Sequence, residues 1–513
     1  MEASKDNESN NVCENSESFK EKIPTFLSQR WILAYLFLTG YFNVYALRVN
    51  ISVALVCMVR TPFDNSTLMN SSQSNITTDD TCGVLDVTSP KAQERGEFDW
   101  DKNTRSAILS SFFYGYIFTQ IPGGWLADRF GGKRIYGTAM AISGVATLLT
   151  PVFARTSVYL VYVLRVVLGV ATGVVFPVGH SMWGRWAPPL ERSKLIATSY
   201  VGATAGIIGT FAASGLLCEY GFDNGWGSIF YITGGMSCIW TVVWFYQARD
   251  SPSEHPRISK AELRYLTNAI EFDTSRKVSD IPWKKMGTSV VLWVGICTHM
   301  CNNWGWYTLL TNLPAFMKSV LKFDIKSNGG LSSLPYICQA IMSIGAGHLA
   351  DFLRRKKILT TRQTRRLFQT ISFSGAGIFL VTTGFVPCEK KYLGVLFLCL
   401  AVTLSGFTRA GYSVSHIDVA PKYSGIMLGI CNTMATIPGM VAPLVAGALT
   451  PNDTQEEWRN VFYVCAVFYL IGIIVFGGFA RGEVQSWAKD KVIELDSIDI
   501  KEPLTSESTH KIQ

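Results

Sequence analysis

The sequence predicts an all-α polytopic membrane protein, with about twelve transmembrane helices in two pseudo-symmetric six-helix bundles. Three observations carry this. Apolar runs of about 20 residues, long enough to cross a bilayer core, recur between short charged loops. Only 16% of the 513 residues are charged and the mean hydropathy is +0.21, whereas a soluble chain carries about 25% charge. Finally, GGWLADRFGGKR (123–134), after the second run, is echoed by GHLADFLRRKK (347–357), after the eighth. A motif returning at the same point of each half is the mark of a parallel internal repeat. Continuous rather than alternating hydrophobicity excludes a β-barrel.

In chain order, residues 1–29 form a polar cytoplasmic tail, and the first apolar run is too long for a cleavable signal. The first bundle, 30–247, holds helices expected at 32–58, 106–127, 134–154, 157–184, 195–218 and 226–247. A charged cytoplasmic linker, 248–285, contains RISKAELRYLTNAIEFD, which has helical spacing but is too polar to span. The second bundle, 286–481, holds helices at 286–317, 328–350, 367–387, 392–417, 424–448 and 459–480, and residues 482–513 form a cytoplasmic tail. Basic residues set the orientation. Arg129, Lys133 and Arg134, then Arg185, Arg192 and Lys194, then LRRKKILTTRQTRR occupy loops on one side, which is read as cytoplasmic. The 59–103 loop then lies outside or in a lumen, and its sequons at Asn65, Asn70 and Asn75 are read as glycosylation sites. The twelve cysteines mostly fall in apolar runs and read as small hydrophobes. Cys82 and Cys388, in the predicted outer loops, leave room for one disulfide whose pairing spacing cannot settle.

The repeated motif suits a gate. Gly124 and Gly347 are expected to permit close helix approach. Asp128 and Asp351 are expected to bridge to a neighbouring helix end or to the basic loop, with Arg129 and Lys133 in the first copy. Inside the predicted spans sit Arg48, Arg165 and Arg409, while no Asp or Glu falls in the middle of any span. A guanidinium keeps its charge in a protein. It costs roughly 2.5–3.5 kcal/mol at a bilayer centre on insertion scales. With no buried carboxylate to pair with, its natural counter-ion is an anionic ligand; the competing reading has each arginine bonding backbone carbonyls or reaching an interface. No phosphate-binding loop, catalytic carboxylate pair or Cys/His metal cluster is present, so an enzyme is not expected.

The two motif copies resemble those of the major facilitator superfamily. A narrower resemblance rests on YALRVNISVAL (45–55), SSFFYGYIFTQIPGGWLAD (110–128), RWAPPLERSKL (185–195), SHIDVAPKYSGIMLGICNTMATIPGM (415–440) and RGEVQSWA (481–488). These are similar to the anion:cation symporter family of sialin, the vesicular glutamate transporters and the type I sodium–phosphate cotransporters. The resemblance implies that Arg48 and Arg165 contact substrate and that Tyr45, Tyr116, Tyr200 and Tyr307 line a central cavity. Asn302 falls where the glutamate transporters place a helix 7 arginine, and Leu109 where they carry a helix 2 histidine; Asn302 and the adjacent Asn303 are candidate substrate contacts. Sialin has two glutamates three and seven residues after its helix 4 arginine; here those positions are Leu168 and Thr172. Candidate coupling groups are therefore His180, Thr172, His299, His416 and Arg409, the last without a family counterpart.

The expected function is alternating-access transport of small organic anions, such as sialic acid, acidic sugars or acidic amino acids. A sodium-dependent phosphate or urate carrier is the alternative, and a non-transporting sensor or scaffold the alternative from another class. No cofactor is expected, and the driving ion stays open between H+ and Na+. The expected partners are the small anionic substrate and the lipid bilayer, not nucleic acid, with the monomer as the functional unit. The membrane is lysosomal or vesicular, or else the plasma membrane.

Overall fold

The computed structural model describes residues 26–60, 96–189, 191–274 and 281–488. The long helices are α1 (Gln29–Met58), α2 (Lys102–Phe130), α3 (Gly132–Thr156), α4 (Val158–Gly173 and Val175–Trp186), α5 (Arg192–Tyr220) and α6 (Trp226–Gln247), then α7 (Val290–Ser319), α8 (Ile325–Arg355), α9 (Thr361–Thr383), α10 (Lys391–Ser405 and Tyr412–Val419), α11 (Ser424–Met434 and Ile437–Leu449) and α12 (Gln455–Phe479). The polar linker contains the expected helix, Lys260–Thr274. Among the described residues, eight of the long helices are apolar enough to cross a membrane by length and composition alone. The other four, α2, α7, α8 and α9, carry Gln120, Asn303, Ser332 and Gln369, all buried against other helices. Each makes a hydrogen bond inside the bundle, Gln369 through Oε1 alone, which is how a less apolar helix resides in a bilayer.

Helix starts differ from the sequence expectation where capping overrides hydropathy. Helix α9 begins six residues earlier than expected, because Thr360 and Gln363 form a reciprocal capping box ahead of the basic TRQTRR turn. Three spans read as continuous are broken: α4 at Val174, α10 by the 3-10 turn Gly406–Arg409, and α11 around Ala435–Thr436.

Helices α1 to α6 pack on one another, as do α7 to α12. Within the first six, α2 and α4 touch backbone to backbone: a Cβ at Gly115 would strike Val166, and one at Gly169 would strike Phe112. The two sets meet through α1–α7, α2–α11 and α5–α8. Towards the sequon-loop side these contacts are tight. Lys102 pairs with Asp453, Lys318 Nζ donates to the Val56 carbonyl at 2.7 Å, and a Cβ at Gly215 would lie 2.7 Å from Gly329 Cα. Further towards the basic face, Gln120 bonds Asn432 and Thr436. Beyond it, Gly345, Gly347, Gly425 and Gly429 would have nothing within 4 Å of a Cβ, and His180 and Arg409 are exposed.

On the sequon side, α1 is tied to α5 by the disulfide Cys57–Cys218. Both cysteines lie in apolar runs, where sequence reads them as small hydrophobes; the disulfide corrects that for this pair. Cys82, Asn65, Asn70 and Asn75 lie outside the described residues.

Candidate functional site

The site forms where α1, α2, α4 and α7 converge. Arg48 sits past the middle of α1, 6% exposed, with its guanidinium carbon 4.8 Å from the ring centroids of Phe112 and Phe113, 4.9 Å from Tyr307, 5.3 Å from Tyr116 and 5.7 Å from Tyr45. Ring faces stabilise the cation through their quadrupoles without consuming its N–H donors. Its Nε and Nη2 accordingly have no hydrogen-bond partner, and it makes no ion pair among the described residues. The adjacent phenylalanines of FFYGY, which spacing alone reads as packing, supply two of the five rings.

Arg165 behaves differently. It is also buried, 5% exposed, but Nη1 donates to the Leu47 carbonyl at 3.4 Å and Nη2 to the Arg48 carbonyl at 3.3 Å. It brackets the α1 backbone behind Arg48, the backbone-bonding alternative weighed from sequence. On the same α4 face, Thr172 Oγ1 donates to the Leu168 carbonyl at 2.7 Å, so its hydroxyl is occupied within the helix.

The remaining predicted residues divide between the two sets of helices. Tyr200 and His180 face each other at 2.9 Å, and Tyr200 stacks on Phe176. Tyr45 meets Phe176 edge-on. Across the interface Tyr307 packs on Phe113. Asn303 Nδ2 donates to the Ala435 carbonyl at 2.9 Å, satisfying the backbone where α11 breaks. Asn302 donates to Asn303 and accepts from Thr408. Asn303 thus braces a helix break, and only Asn302 stays half-buried. His299 and His416 are buried around Tyr412, with His299 Nδ1 and His416 Nε2 unpartnered.

The gate motif needs correcting in its details. The close approach falls at Gly123, whose Cβ would lie 3.0 Å from Val174 Cα, while a Cβ at Gly124 or Gly347 would meet nothing within 4 Å. Asp128 does bridge to α4, accepting from Ser181 at 2.6 Å and lying 3.6 Å from Arg185. Asp351 makes no ion pair among the described residues. In the second half Asp418 is ion-paired instead, 2.7 Å from Arg365 and 4.0 Å from Arg354. Arg129 lies over Trp125 and Phe130. Gly131 turns the chain at φ 89°, open to glycine without strain, and brings the Lys133 amide onto Asp250 at 2.8 Å.

A bundle of crossing helices with two six-helix sets, midplane breaks and buried cations between them defines a secondary-transporter fold. The Major Facilitator Superfamily model matches residues 37–443. Human sialin is 43% identical over 91% of this chain and 92% of its own length. The Caenorhabditis elegans protein described as uncharacterized transporter slc-17.2 is 42% identical over 90% of this chain and 93% of its own. Human vesicular glutamate transporter 2 is 35% identical over 90% and 76%. Among solved structures, the bacterial homologue of the human lysosomal transporter Spinster, inward-facing and unoccupied, superposes with a TM-score of 0.65 at 13% identity, covering 88% of this chain and 96% of that one. The partially occluded, inward-open xylose transporter XylE of Escherichia coli gives 0.61 at 14%, covering 88% and 100%. The chain belongs to the major facilitator superfamily, within its anion:cation symporter family. Its relatives are membrane transporters and not enzymes.

Proposed function

We propose that the protein carries small organic anions across a membrane by alternating access, with Arg48 as the principal anion contact. The observation that carries this is the Arg48 guanidinium: buried, ringed by aromatics, and holding two N–H-bearing nitrogens with no partner. A charge-assisted bond to a carboxylate or phosphate would satisfy them. Arg165 serves as a positioning residue, fixing the α1 backbone that presents Arg48. Sialin and the vesicular glutamate transporters, by their names, point to acidic sugars and acidic amino acids as the first anions to try.

The packed sequon side and the exposed groups towards the basic side support reading this conformation as open to the cytoplasm. Asp128, bonded to α4, is the gate group of the first half, and Asp418 rather than Asp351 serves the second. The α4 face beside Arg165 carries Leu168 and Thr172 and no titratable acid. Uptake should therefore respond weakly to a pH gradient unless His180, His299 or His416 supplies the proton path.

The test is uptake into vesicles holding the purified full chain, comparing sialic acid, glutamate, urate and phosphate, each with and without sodium and a proton gradient. Organic-anion uptake abolished by Arg48→Gln supports the proposal. Sodium-driven phosphate uptake alone would replace the substrate class, and no flux of any anion by folded protein would favour a sensor. Steep, protonophore-sensitive uptake would overturn the weak-coupling expectation.

A further inference from the structure

The two halves of the molecule treat their repeated basic loops differently. In the first half the short α2–α3 loop is closed by Asp250, whose carboxylate accepts the Lys133 amide at 2.8 Å. Asp250 is the third residue after α6, and its counterpart, third after α12, is Gly482. Lys133 is the second residue of α3; Arg362, second in α9, has its amide nitrogen 2.6 Å from a Cβ placed on Gly482. The position that carries a carboxylate in the first half thus carries no side chain in the second. The second loop is also more basic, with seven Lys and Arg between 354 and 366 against three between 129 and 134. Asp418 pairs with Arg365 and reaches Arg354 at 4.0 Å, while Arg362 and Arg366 donate to the Ala480 carbonyl. The side chains of Arg355, Lys356 and Lys357 make no hydrogen bond or ion pair among the described residues.

Arg354, Arg355 and Lys357, together with Asp351, Thr360 and Thr361, line a cleft of about 670 Å³ between the end of α8 and the start of α9. Lys357 holds φ at 56°, a left-handed backbone that glycine more often fills after a helix. Such an outlier points to a task for the side chain that occupies it. Three cations against one carboxylate leave the cleft positive, where the first half supplies Asp250. The surface beside it is apolar: Phe352 and Ile358 are exposed, and so is Leu367, six residues or roughly 9 Å along α9 from Thr361. We infer that this cleft binds the headgroup of a phosphoinositide in the leaflet on the basic side, with the acyl chains on the exposed apolar face of α9. A phosphodiester brings one negative charge, and each phosphomonoester adds about 1.5–2 more, the charge that three cations beside a single carboxylate can answer. The first half needs no such ligand, because Asp250 already meets its loop.

The test is thermal stabilisation of the purified full chain in detergent by dioctanoyl lipids: phosphatidylinositol 4,5-bisphosphate, phosphatidylserine and phosphatidylcholine, with inositol 1,4,5-trisphosphate as the free headgroup. The bisphosphate lipid should stabilise at an about tenfold lower concentration than phosphatidylserine, the effect of added charge-assisted contacts, and phosphatidylcholine should have no effect. Arg355→Gln combined with Lys357→Gln should erase that advantage. Lys284→Gln combined with Lys285→Gln removes two exposed cations outside the cleft and should leave the advantage intact. Equal loss in both double variants would show diffuse charge attraction and overturn the site. Stabilisation by the free trisphosphate at the same concentration as the lipid would overturn the lipid as occupant in favour of a soluble phosphate. No stabilisation of the folded protein by the bisphosphate lipid would overturn the inference outright.

Discussion

At the residue scale, two buried arginines of the same chemical type have different surroundings. Arg48 leaves Nε and Nη2 without a partner, and Arg165 spends two of its nitrogens on carbonyls of α1. Their lysine variants separate these roles, since lysine keeps the charge and loses the planar fork. Arg48→Lys should raise the concentration for half-maximal uptake about tenfold or more, with thermal stability little changed. Arg165→Lys should lower thermal stability and maximal rate together. The reverse assignment of effects would show that the two roles have been exchanged. That a span arginine exists is legible from the sequence. Whether rings or carbonyls surround it is not, because Phe112 and Tyr307 lie far from Arg48 in the chain and nothing in local periodicity points them at it.

At the element scale, the ends of the first six helices are held by groups that spacing could not pair. Arg30, 2% exposed at the start of α1, lies 2.8 Å from Glu191 and 3.0 Å from Glu262. Glu262 also accepts the Gln29 and Arg30 amides, capping α1 from a linker helix 232 residues away. Breaking a buried pair costs about 3–5 kcal/mol because the surviving charge is stranded. Glu262→Gln should accordingly lower the melting temperature and expose the linker to proteolysis; an unchanged linker would count against its anchoring role. On the opposite side, Cys57–Cys218 closes a loop of 161 residues. Cys57→Ser should lower stability by about 2–4 kcal/mol. A shift in that range seen only under non-reducing conditions confirms the bond.

Glu97 adds a pH dependence at this scale. Its carboxyl is held below the ordinary range, chiefly by the hydrogen bond from Arg155, with Asn224 and Trp226 contributing. A depressed carboxyl stabilises the fold above its unfolded value of about 4.3, and loses that contribution as pH falls through the folded value. Glu97→Gln should therefore lower the melting temperature at pH 7 and pH 5 alike. The difference should shrink below about pH 4. A difference constant down to pH 3 would show that Glu97 acts through packing instead.

At the scale of the whole molecule, the conformation described is held by contacts on the sequon side, where Lys102 meets Asp453 and Gly215 meets Gly329. Gly215→Val would force a side chain into the Gly329 backbone and should shift the population towards opening on that side. A reporter cysteine at the Lys318 position should then become more accessible to a membrane-impermeant thiol reagent. Reactivity equal to that in the parent would place the closure elsewhere. Exchanging the charges at Lys102 and Asp453 should restore what Asp453→Asn loses, as expected if that pair spans the closed gate.

The membrane class, the repeat and the family could be read from the chain alone, because run length, loop charge and the two LAD motifs are local properties of residue order. The same order marked Arg48, Arg165 and Asp128 as residues with a task. Only the tertiary structure decided that Arg48 keeps two nitrogens without a partner, that Asp418 and not Asp351 forms ion pairs among the described residues, that Gly123 rather than Gly124 makes the close approach, and that Cys57 meets Cys218. Each of those outcomes depends on which atoms face a side chain across helix interfaces. The facing atoms are dictated by packing between segments far apart in the chain, and by the three helix breaks that hydropathy does not register.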